Sequence, residues 1–198
     1  MGVNVVTDEQ EEVNIETFMA LGRFVVSFSN LLNSLEESTV YLFGLAGNFQ
    51  ESLMLKAALS DRTAYPISSS FFSVFFQRWG DSVTEEDAKI MGALRNEINN
   101  LIKKRNRVMH DAWMNTSGGV KESHPMSTMR VRAHSKGAEY DLEEQTPEKV
   151  LDLVETAKRL SDVVTGVVWY CKPGMKGPEV AERFHLIDKK VFRKTQNA

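Results

Sequence analysis

The chain has 198 residues, 42% hydrophobic and 26% charged, a balance that excludes wholesale disorder and suits one core better than two. Its one cysteine, Cys171, excludes an intramolecular disulfide and a cysteine-rich zinc site, and fits a reducing compartment. Net charge is −3 but unevenly spread: Asp8, Glu9, Glu11, Glu12 and Glu16 make an acidic head, and residues 172–198 hold seven Lys and Arg against three acids, net +4. Such ends suit either polyanion binding or solvated termini that attract each other. There is no apolar run of about 20 residues and no signal-peptide pattern, so a cytoplasmic protein without a membrane span is expected.

Phe18, Leu21, Val25, Phe28, Leu32, Leu35 and Leu42 recur at helical spacing, which predicts a first helix over 14–43 that buries this face and stops at Gly44 and Gly47. A small helix is expected over 52–59. Pro66 biases Tyr65 away from helix, so 60–66 reads as a loop. Phe71, Phe72, Phe75, Phe76 and Trp79 then describe an aromatic helix face, expected as core, that ends at Gly80. Thr84-Glu85-Glu86-Asp87 opens the next helix with a capping box, its acids at the positive end of the dipole. That helix is expected to reach about Met114, with a loop over 115–125.

From Met129 the period becomes two. Met129, Val131 and Ala133 alternate with Arg130, Arg132 and His134; Ser135-Lys136-Gly137 turns the chain, and Ala138, Tyr140 and Leu142 resume the alternation. This predicts a β-hairpin over about 126–143 with one apolar and one basic face. Thr146-Pro147 starts a last long helix whose buried stripe is Val150, Val154, Ala157, Leu160, Val164, Val167 and Cys171, ended by Lys172-Pro173-Gly174. The expected fold is all-α: an acidic segment 1–13, a single helical-bundle domain 14–171 with a small inserted β-hairpin, and a loose basic tail 172–198.

The chemistry concentrates in Lys103-Lys104-Arg105-Asn106-Arg107-Val108-Met109-His110-Asp111-Ala112-Trp113. On a continuous helix, Met91, Leu94, Ile98, Leu101, Val108 and Ala112 form a seam, and Arg105 stands where the pattern calls for Leu or Ile. A buried unpaired guanidinium costs several kcal/mol, so Arg105 is either paired, for instance to Glu36 or Glu37, or exposed in a cleft. Asn106 and His110 lie on a flank about 100–140° round from Arg105. One straight helix does not converge these groups on one point. Convergence needs a helix break or a second copy, so a homodimer whose interface includes this helix is expected.

The spelling Arg105-Asn106-x-x-x-His110 on a bundle helix resembles the HEPN superfamily, helical proteins that include many ribonuclease toxins. The Asp111-Ala112-Trp113 continuation, the hairpin, the helix opening at Thr146-Pro147 and the stretch Leu21-Gly22-Arg23-Phe24-Val25 look similar too, so the resemblance covers 14–171. It implies a HEPN-like helical bundle and a metal-independent endoribonuclease, of toxin or phage-defence type, in which the ribose 2′-OH attacks the adjacent phosphorus. Arg105 would stabilise the phosphate charge, His110 would act as general base or acid, and Asn106 would orient the phosphate or the imidazole. Lys103, Lys104, Arg107, Arg130 and Arg132 would hold the RNA backbone. No metal and no cofactor are expected; RNA, a second copy, and an antitoxin or regulatory protein are the expected partners. The alternative is a non-catalytic module of the same fold that binds RNA, a nucleotide or a protein and uses the Arg105–His110 pair structurally. His110, His124, His134 and His185 show no metal-ligand spacing, and no phosphate-binding glycine loop occurs.

Overall fold

The structure, a computed structural model, describes residues 8–45, 47, 49–114, 127–134, 137–169 and 177–194. Its elements in order are α1 (Asp8–Gly44), α2 (Phe49–Ser60), α3 (Ala64–Trp79), a short 3-10 turn (Gly80–Ser82), α4 (Glu85–His110), β1 (Ala112–Met114), β2 (Ser127–His134), β3 (Gly137–Glu144), α5 (Pro147–Trp169), α6 (Val180–Arg183), β4 (Phe184–Ile187) and β5 (Lys190–Arg193). The protein is mostly helical with small antiparallel β elements, as expected. Two compact units divide it: Met1–Ser27 with Lys103–Glu155, and Phe28–Ile102 with Thr156–Ala198. The loop 115–125, the turn Ser135-Lys136, Cys171, the stop Lys172-Pro173-Gly174 and the inward packing of Val131 and Ala133 lie outside the described residues.

In the first unit the predicted hairpin forms, with Met129 opposite Leu142, Val131 opposite Tyr140 and Ala133 opposite Ala138. The same register sets Arg130 opposite Asp141 and Arg132 opposite Glu139. The face expected to be basic therefore carries mixed charge, because the acids of β3 alternate in step with the arginines of β2. A third strand was not expected. α4 stops at His110 rather than near Met114, and Ala112–Met114 pairs with Met129–Ser127 to give the order β1-β2-β3. Ala112 fits the helical seam by spacing, but its backbone is taken up by a strand distant in sequence.

The buried stripe of α1 is displaced from the expected one. Within this unit Thr17, Ala20, Phe24 and Ser27 are buried, whereas Phe18 and Val25 are 57% and 41% exposed. Small residues, two of them polar, complete a helical spacing that the large apolar ones alone do not show. Thr39 shows how such residues are accommodated: its hydroxyl donates to the Leu35 carbonyl, 2.6 Å away, so no buried donor is left open. By length and composition the stretch Asn14–Gly44 could cross a membrane, a property that core helices of soluble proteins share.

The second unit centres on Phe28, Leu31, Leu35 and Leu42 of α1, Phe71, Phe72, Phe75 and Trp79 of α3, and Met91, Leu94 and Ile98 of α4, each at most 5% exposed. The aromatic face of α3 is core as expected, except that Phe76 stays 36% exposed. Pro66 lies inside α3, in its first turn, where a missing N–H costs no helical hydrogen bond. The capping box of α4 is present: Asp87 N–H donates to Thr84 Oγ1 (3.1 Å), and Thr84 N–H donates to Asp87 Oδ2 (3.1 Å). On α5 the stripe Val150 to Val167 is buried throughout.

Residues 177–194 are no loose tail. Val180, Phe184 and Val191 are at most 1% exposed, and β4 and β5 form a hairpin through Asp188 and Lys189, both with positive φ. Two α4 carboxylates hold this segment by its backbone: Asp87 accepts from Ala181 N–H and Glu97 from Val191 N–H, each at 2.7 Å. Arg159 of α5 pairs with Glu97, donates to the Val191 carbonyl at 2.7 Å and lies 4.9 Å from the Phe192 ring centroid. Gly166 leaves room for Phe184, whose ring would stand 3.0 Å from an added Cβ.

Glu36 offers a pH test of this unit. Partial burial first, then the Glu37 charge, raise its pKa against the pull of Lys56. The fold thus prefers the protonated form, and that preference adds stability at low pH which is lost as pH rises through the raised pKa. Glu36→Gln should stabilise the protein at neutral pH, by no more than about 0.5 kcal/mol after solvent screening, and the gain should vanish below the ordinary carboxylate pKa of about 4.3. Urea denaturation at neutral and acidic pH measures both.

Candidate functional site

The last two turns of α4 carry the Arg-Asn-His group. Arg105 Nη1 lies 3.3 Å from Asn106 Oδ1 and 3.2 Å from His110 Nε2. All three therefore meet within a single copy, contrary to the expectation that one helix could not bring them together. That expectation weighed the angles of Cα positions. A long arginine stem reaches sideways and along the axis, and carries the guanidinium across to the flank of Asn106 and His110.

Arginine has donors only, so His110 Nε2 must be the acceptor. The contact is a hydrogen bond in the tautomer that carries its proton on Nδ1, whose Nε2 lone pair then faces a permanent cation. Arg105 and Asn106 are half-buried and His110 is exposed, while Val108 between them is 3% exposed and anchors the turn. The group is thus open to solvent at the tip of a helix whose other side is fixed.

The five other cations named in the sequence divide. Lys103 and Lys104 are exposed on α4, nearly two turns before His110. Arg107 is engaged elsewhere: it reaches Asp141 (2.9 Å) and Glu143 (2.6 Å) of β3, with Asp111 at 3.6 Å. The bond it donates to Asp141 leads in raising the pKa of that guanidinium, Glu143 and Asp111 adding to it against partial burial. Arg107 is 18% exposed and serves as the post to which the end of β3 is tied. Arg130 and Arg132 sit on β2 opposite acids, their side chains outside the described residues. The acids Asp111, Asp141 and Glu143 were not singled out from sequence, although the alternation of Asp141 and Glu143 along β3 was a usable signal.

Glu37, one of the two acids expected as a partner for Arg105, pairs with Lys56 in the second unit. That unit also holds an open groove of about 730 Å³ between α1 and α5, lined by Ser34, Ser38, Tyr41 and Trp169 among others, with Glu37 the one charged wall residue among those described. No described histidine or arginine lines it. Among the described residues no three His, Cys, Asp or Glu side chains gather as a metal site would require. Compared with known proteins, the chain matches no family model, no curated protein and no solved structure.

Proposed function

We propose that this chain is a metal-independent endoribonuclease of the HEPN type. The observation that carries the reading is one guanidinium that donates to both Asn106 and His110 on an exposed helix tip. A phosphodiester oxygen is a stronger acceptor for that guanidinium than a neutral amide or imidazole. An arriving phosphate therefore replaces Nε2 and Oδ1 as the partner of Arg105, which releases the Nε2 lone pair beside the substrate. His110 Nε2 takes the proton of the ribose 2′-OH, the 2′-oxygen bonds to phosphorus, and the bond from phosphorus to the 5′-oxygen breaks. Arg105 meets the charge that builds on the phosphoryl oxygens, and the leaving 5′-oxygen takes a proton from water or an imidazolium. Lys103 and Lys104 hold the backbone. Arg130 and Arg132 add less, because their cross-strand neighbours are acids.

The same bond favours a second reading. Arg105 and His110 satisfy each other without any substrate, as a non-catalytic RNA- or protein-binding module would need. Incubation of the purified protein with single-stranded RNA in EDTA separates the two. The first reading expects fragments ending in 2′,3′-cyclic phosphate with free 5′-OH groups, and no cleavage of DNA of the same sequence. Retention of intact RNA on the protein would leave the binding module standing instead. A toxin or phage-defence role under an antitoxin or regulatory protein follows from the resemblance alone, and growth arrest on expression is its test.

A further inference from the structure

The groove between α1 and α5 in the second unit lies where both helices end. Ser34 and Ser161 approach through their hydroxyls to 2.7 Å, so the two helices are in contact there. Four residues further along each helix, Ser38 and Thr165 both line an open space of about 730 Å³, the size of a small-molecule site. Tyr41 and Trp169 follow one turn later, on the same faces by steps of three and four. The helices therefore part toward their C-terminal ends, with hydroxyls near the contact and aromatic rings near the ends.

The electrostatic features of this groove all have one sign. Tyr41 lies in the last turn of α1 and Trp169 closes α5, and neither last turn carries a basic residue. A helix C-terminus is the negative pole of its dipole and holds carbonyls without intrahelical partners, so both ends favour a cation. Glu37 adds a full negative charge to the wall. Lys56 of α2 bonds to Glu37 Oε1, and Glu36 lies close enough to feel both charges, so two carboxylates face one ammonium. The rings point the same way. Trp169 is 77% and Tyr41 46% exposed, and the open face of an aromatic ring attracts cations. An anion such as phosphate or RNA is opposed by all of these groups. A hard metal ion needs several oxygen ligands of high charge, and the described wall supplies one carboxylate.

We propose that this groove binds an alkylated organic ammonium ion, its head held by Glu37 and the ring faces of Tyr41 and Trp169, its body resting on Val168 and the hydroxyls of Ser38 and Thr165. The inference does not rest on the ribonuclease reading, because Arg105, Asn106 and His110 take no part in it. Isothermal titration calorimetry of the full chain should show saturable binding of choline and of benzyltrimethylammonium. The neutral carbon isostere of choline, with tert-butyl in place of trimethylammonium, should bind about tenfold more weakly or worse. Glu37→Gln and Trp169→Ala should each weaken choline by about tenfold. Thr165→Lys should abolish binding by placing its own ammonium in the groove. Lys56→Gln should tighten binding, since it frees Glu37 from a competing ammonium, an effect that a merely structural role for the pair does not produce. All four side chains are exposed, so circular dichroism and melting should stay close to wild type. No binding of either ammonium up to about 10 mM overturns the inference. So does equal binding of the neutral isostere, or a Lys56→Gln chain that binds choline no tighter than wild type.

Discussion

His110→Ala should reduce RNA cleavage by about 10²–10⁴-fold while leaving the melting transition in place. The imidazole is exposed and its partner is a side chain five residues earlier on the same helix, so its loss removes little packing. Arg105→Lys discriminates further. It keeps the positive charge but loses the planar fork, and one ammonium cannot reproduce the directed bonds to Asn106 and His110. RNA affinity should therefore survive Arg105→Lys within a small factor while most of the rate is lost. Initial rates on a short oligoribonucleotide and its binding by fluorescence anisotropy give the two numbers separately. A His110→Ala protein that cleaves as fast as wild type would end the proposed mechanism and hand the site to the binding-module reading.

Deletion of residues 177–198 should unfold the second unit or lower its melting temperature sharply. The deletion uncovers the seats of Val180, Phe184 and Val191, all at most 1% exposed, at a cost of about 1.5–3 kcal/mol for each large side chain. That sum is comparable to the whole stability of a small domain, about 5–15 kcal/mol. Glu97→Ala is the milder probe. It removes the carboxylate partner of Arg159 and the acceptor of the Val191 N–H together, in a pair whose side chains are 21% and 13% exposed, and should cost about 2–4 kcal/mol. Urea denaturation followed by circular dichroism measures both. A truncated chain that melts with the wild type would mean that the segment is only draped on the helices.

What the sequence determined by itself is local. The aromatic face of α3, the capping box of α4 and the valine stripe of α5 follow from interactions within a few residues, and spacing and end residues encode these directly. The β2–β3 hairpin has the same origin, since alternation on both sides of a short turn needs no distant partner. The spelling Arg105-Asn106-x-x-x-His110 is likewise legible in the sequence, because all three residues belong to one short stretch of chain.

Tertiary structure decided the rest. β1 exists because Ala112–Met114 finds Ser127–Met129, against a helical spacing that argued otherwise. The β4–β5 hairpin turns through Asp188 and Lys189, without the glycine that usually announces positive φ, and is held by Asp87, Glu97 and Arg159 from far along the chain. The stripe of α1 turned on Thr17, Ala20 and Ser27, small residues whose burial depends on how closely a neighbour approaches and not on their own hydrophobicity. Whether Arg105 meets His110, and whether Arg107 faces RNA or acids, were questions of side-chain reach and strand register. Periodicity records which way a Cα faces; the length of a guanidinium stem and the charge waiting on the next strand are set only when the chain is folded.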